Sequence, residues 1–179
     1  MLNSIKINLE LLESMLFFWK ATGEKEKVGE TFINSISDNE NMKYIYDEEF
    51  DSESVRRALS AISNREIFSP KTKKEGRFWN NSMWMLEDPG LTDEMVKPLK
   101  MLNLDEIKNK VKSEKFSNVE IVVVPGHLDT IYVDELKEKI IINFFKIRVD
   151  LNTGECYIED KGIMQYITGV LKYNKGEKK

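Results

Sequence analysis

Ser117-Asn118-Val119-Glu120-Ile121-Val122-Val123-Val124 is the stretch on which the fold turns. Five of its eight residues are β-branched, and from Ile121 the apolar run is continuous rather than alternating. A β-branched run of this kind reads as a strand buried on both faces. Pro125-Gly126 then turns the chain. Most of the chain before this point carries helical periodicity, and most of the chain after it carries the signature of strands.

Downstream, Asp129-Thr130-Ile131-Tyr132-Val133 reads as a second strand and 139–149 as a long third one. Asp150-Leu151-Asn152-Thr153-Gly154 is a hairpin loop, and Glu155-Cys156-Tyr157-Ile158 returns as a fourth strand. Ile140, Ile142 and Phe144 oppose Ile141, Asn143 and Phe145 across the third strand. Its first half is therefore apolar on both faces and needs cover on both. Asp160 then caps a helix carrying Ile163, Tyr166, Ile167, Val170 and Leu171 on one face. The polar tail, 175–179, is expected to fray.

Upstream, Leu2, Ile5, Leu9, Leu12, Leu16 and Trp19 step by alternating threes and fours. That spacing predicts a helix over 3–21, with Gly23 as its stop. The same six residues form a seam that could serve as core or as a dimerisation stripe. Further helices are expected over 25–36, 52–64, 74–86, 93–97 and 104–113, with a short strand at 42–46. Asp88-Pro89-Gly90 reads as a turn, and Pro98 limits the helix before it. The expected fold class is α+β. A helical N-terminal part, 1–116, packs on an antiparallel four-stranded meander closed by a C-terminal helix, 117–174, in one domain spanning 1–179.

Composition narrows function by exclusion. The chain has 179 residues, 27 Lys+Arg, 31 Asp+Glu and a formal charge of −4, which opposes a nucleic-acid coat protein. One Cys excludes an internal disulfide and any CxxC motif, and one His excludes multi-His metal sites. No apolar run reaches the length of a membrane span. Glu10 and Glu13 interrupt any signal-peptide core, so a reducing cytoplasm is the expected compartment. The dominance of Lys over Arg, with abundant Ile and Asn, suggests an AT-rich bacterial source.

Named catalytic motifs are missing. The loop 150–155 only superficially resembles a calcium loop, because its glycine falls at the fifth position. The acidic run 47–53 could offer oxygen ligands to a hard cation, but it lacks the spacing of a known loop and reads as solvated. His127 beside Asp129 could act as a general base, or simply cap its own turn. Cys156 reads as a buried, inert thiol. No catalytic residue, metal or cofactor is assigned, and an enzyme is the weaker expectation.

Charge is distributed unevenly. Seven carboxylates lie in 38–53, and four of the five arginines come directly after: Arg56, Arg57, Arg65 and Arg77. Next in the chain is Phe78-Trp79-Asn80-Asn81-Ser82-Met83-Trp84. On a helix, Trp79, Met83 and Leu86 share one face, while Asn80, Asn81 and Trp84 turn toward another. One tryptophan therefore falls in a pocket or at an interface. The arginines could pair internally with the acidic block, flank a protein contact, or clamp a small anionic ligand. The favoured reading is a protein-interaction or assembly module, homodimeric or bound to another protein, with Arg56, Arg57, Arg65, Arg77, Trp79, Asn80, Asn81 and Trp84 as candidate contacts. The alternative is a small anionic-ligand-binding protein or enzyme using 56–88.

Overall fold

The computed structural model describes residues 2–112, 115–127 and 132–173. Among them are seven α-helices and two sheets. β2 (Asn118–Val124) forms where the β-branched run predicts it, and Ile121, Val122, Val123 and Val124 are all buried. Its partners are not the expected ones. β1 (Ser4–Asn8) pairs with it in parallel, Ser4 opposite Asn118 and Asn8 opposite Val122. β4 (Lys139–Asn143) also pairs with it in parallel, and β3 (Tyr132–Asp134) lies antiparallel on the outside of β4. The order is β1-β2-β4-β3, a mixed sheet rather than an antiparallel meander. Residues 129–131 of the expected second strand, Asp129 among them, and the expected frayed tail lie outside the described residues.

The N-terminal helix is corrected accordingly. Ser-Ile-Lys-Ile-Asn is a strand, and α1 runs only over Glu10–Gly23. Leu2 and Ile5 face the core from the strand side, and Leu12 and Trp19 face it from the helix, so the three-and-four spacing crosses two elements. Leu9 and Leu16 are half-buried against the same core. The seam side chains are thus largely occupied within a single chain.

The expected long third strand breaks in the middle. The Asn143 side-chain oxygen accepts from the N–H of Phe145 and from that of Gly126, each at 3.1 Å. This side-chain turn competes with the ladder. The chain makes a 3-10 turn over Phe144–Lys146 and re-emerges as β5 (Ile147–Val149). β5, β6 (Cys156–Ile158) and β7 (Lys161–Gly162) form a separate antiparallel sheet. The hairpin between β5 and β6 closes on Gly154, whose φ of 72° suits glycine.

The remaining helices occupy the β1-to-β2 crossover and the C-terminus. They are α2 (Glu30–Ser37), α3 (Ser52–Asn64), α4 (Lys73–Glu87), α5 (Pro89–Lys100), α6 (Leu104–Lys110) and α7 (Ile163–Tyr173). Asp51 and Ser54 form a reciprocal capping box that starts α3. Asp88-Pro89-Gly90 is a helix start rather than a free turn. The Asp88 carboxylate accepts from the Leu91 N–H, and Pro89 sits where no N–H is needed. Pro98 is accommodated inside the last turn of α5, so that helix extends well beyond 93–97. Residues Met42–Ile45 form a 3-10 turn, not a strand. α1 packs on β2 and against α4, with α3 beside α4. Trp19, fully enclosed, stacks on Phe144 with ring centroids 5.8 Å apart.

Leu12 has no exposed surface, whereas Leu9 is only half-buried. Leu12→Ala is therefore expected to cost about 2–5 kcal/mol in urea unfolding, and Leu9→Ala clearly less. Equal costs would contradict this placement of the strand-helix junction.

Candidate functional site

The carboxyl ends of β2 and β4 meet the start of α4, and the sequence-selected residues divide around this junction. Gly126 follows β2 so closely that an added Cβ would lie 2.9 Å from the Ile45 Cγ2, so a larger residue there would force the buried Ile45 side chain to shift. His127 comes next and is buried. Its Nε2 lies 2.6 Å from the Ile45 carbonyl oxygen and 3.9 Å from an Asp47 carboxylate oxygen. The short contact to a carbonyl requires Nε2 to carry the proton. Phe50 meets the imidazole edge-on at 4.7 Å. His127 thus ties the end of β2 to a segment some eighty residues earlier, rather than capping its own turn. Burial holds its pKa below the ordinary value, and the Ile45 carbonyl and the Asp47 carboxylate offset only part of that.

The arginines separate. Arg57 binds the carboxylate of Glu75, with Nη1 3.0 Å from each oxygen, and donates to the Ser69 carbonyl. Its guanidinium also lies over Phe68, which stacks on Trp79 at 6.1 Å. Glu75 is almost fully enclosed. Burial pushes its carboxyl up, but the Lys71 N–H, the Ser54 hydroxyl and Arg57 outweigh that and hold it below its ordinary value. Arg56 pairs with Asp38 and Glu53. Lys74 pairs with Asp47 at 2.6 Å. Arg65 ends α3 in a left-handed conformation and donates to the Lys25 carbonyl, away from the others. Part of the acidic block is thus matched by the basic one. Asp51 caps α3, so the run 47–53 is largely committed within the fold.

Arg77 sits between the junction and open surface, donating from Nη1 to the His127 carbonyl at 3.0 Å. Beyond it the outer face of α4 carries Asn80, with Asn81 on its flank. Trp84 lies one turn further on and is 66% exposed. Trp79 lies half-buried on the opposite flank. The fold therefore brings Arg77, Asn80 and Trp84 into one outward stripe, and it takes Arg56, Arg57 and Trp79 into internal contacts. The junction at Asn143 and Gly126 was invisible to spacing. Its only sequence signal is a polar Asn inside an apolar strand.

Cys156 is buried, and burial pushes its thiol up to about 11. Among the described residues, no group of His, Cys, Asp and Glu is placed to hold a metal ion, and no helix is long and apolar enough to cross a membrane. No family model, curated protein or solved structure matches the chain.

Two measurements check this geometry. A histidine held below its ordinary pKa takes up its proton more readily in the unfolded chain, so stability falls as pH drops below 6.5. The carboxylates of Asp47, Asp51, Glu75 and Asp134 are all held low, so their contribution is lost only below the ordinary carboxylate values of 3.8 to 4.5. Stability against thermal unfolding should therefore fall from pH 6.5 to 4.5, and His127→Gln, which keeps a donor, should flatten that window. An unchanged slope would count against a buried neutral imidazole. Separately, Glu75→Ala strands Arg57 and should cost about 3 kcal/mol, while Arg56→Ala at the surface should cost under about 1 kcal/mol.

Proposed function

We propose that this protein is an interaction or assembly module that docks through the outer face of α4, with Trp84 as its anchor and Arg77 and Asn80 beside it. The observation that carries the reading is the 66% exposure of Trp84 on a helix whose opposite face is core. A single exposed apolar residue is ordinary, but tryptophan and arginine on one helix face, two turns apart, are residue types enriched in binding hot spots. Arg77 is steadied by the His127 carbonyl, so part of its side-chain ordering is already in place before a partner arrives. An anionic-ligand site has weaker support, because Arg56 and Arg57 are matched by carboxylates. The expected setting is a reducing cytoplasm in a bacterium, consistent with one enclosed thiol.

Affinity capture from the native cell with mass spectrometry should recover a specific partner, either the same chain or another protein. Trp84→Ala should abolish that recovery while shifting stability by no more than about 0.5 kcal/mol. Recovery indifferent to Trp84 would overturn the assignment of this face.

A further inference from the structure

The outward stripe of α4 has a spacing and polarity of its own. Lys73, Arg77, Asn80, Trp84 and Glu87 are all exposed and step by four, three, four and three. That is the spacing of a coiled-coil seam. Its chemistry is graded along the helix, basic at the first turns, amide in the middle and acidic at the end. Lys73 and Glu87 are each seven residues from Asn80, about 10.5 Å of helix in either direction.

We propose that the partner of this face is a second copy of the same chain, with the two α4 helices antiparallel across a twofold axis at Asn80. This rests on the reading of α4 as the docking face and names its occupant. A twofold axis through Asn80 sets Lys73 of each copy opposite Glu87 of the other. It sets Arg77 of each over the Trp84 indole of the other, and the two Asn80 amides against each other. The stripe is therefore complementary to itself, as a twofold interface requires. A hydrogen bond such as that from Arg77 to the His127 carbonyl is made in the guanidinium plane, whereas stacking on an indole uses the perpendicular face. A polar Asn at one seam position is a known means of setting register. Parallel pairing would set Lys73 against Lys73 and Glu87 against Glu87, and it would align the two helix dipoles. One pair of four-turn helices buries less than the roughly 1,200 Å² of a stable interface, so the dimer is weak and forms at high chain concentration.

Cysteine cross-linking tests both the pairing and its direction. Asn80 is exposed, so Asn80→Cys leaves the core untouched, and Cys156 is buried and does not compete. Under mild oxidation Asn80→Cys should give a disulfide-linked dimer. Lys73→Cys alone and Glu87→Cys alone should not, but a mixture of the two should link to each other. In sedimentation equilibrium, Trp84→Ala should weaken dimerisation by about 30-fold or more. Lys73→Glu should weaken it about threefold, and the double exchange Lys73→Glu with Glu87→Lys should restore it. Self-linking of Lys73→Cys and Glu87→Cys would mean parallel helices and overturn the proposal. So would a chain that stays monomeric at its highest soluble concentration with no Asn80→Cys dimer. Trp84-dependent capture of a different protein by such a monomer would keep the docking face and reject only the second copy.

Discussion

Parallel pairing of β2 with β1 is the constraint on which the rest of the molecule depends. It joins Ser4 to Asn118 and so closes a loop of more than a hundred residues. Closing it is costly in chain entropy, though the cost grows only slowly with length. In return β2 becomes an interior strand, with both edges bonded and both faces apolar. All six helices of the crossover must then find a place around the sheet. α1 lies directly on β2, and its inner side chains Leu11, Leu12, Met15, Phe18 and Trp19 are all buried. Parallel strands need such cover, because neither face of β2 can be left to water.

Where β2 ends, polar groups replace apolar ones as the means of connection. Gly126, His127 and Asn143 fasten the ends of two adjacent strands to the segment around Ile45 and to α4. Each bond is made by a buried donor or acceptor that would otherwise be stranded, so the junction is held as a unit. This same junction holds Arg77 at the root of the exposed stripe. The proposed contact face is in this sense attached to the core: tied to it at Arg77 and open at Trp84.

How much of this was legible varied with how local the cause was. α3 and α4 followed from their apolar periodicity, because that signal lies within each helix itself. The division of the two tryptophans between opposite sides of α4 also followed from spacing alone. The N-terminal strand did not. Leu2 and Ile5 continue the helical spacing of Leu12, Leu16 and Trp19 by coincidence, and only the presence of β2 as a partner makes Ser4–Asn8 extended. The break at Asn143 was hidden for a related reason. Its side chain caps the next turn while also holding Gly126, which is distant in sequence. The arginines were visible as a cluster, but their separate fates depended on which carboxylate each one reached.

By itself the sequence determined the mainly helical character of 10–110, the burial of Val119 and of Ile121–Val124 in a strand, and the exclusion of disulfide and multi-histidine chemistry. These follow from side-chain shape, period and residue count, which act over a few neighbours or over none. Tertiary structure alone decided strand partners and direction, the conversion of an apparent seam into strand and helix, and the commitment of Arg57 to Glu75 rather than to a ligand. Those outcomes depend on contacts between segments far apart in the chain, where the favourable term is burial or pairing with a group whose position local sequence does not specify.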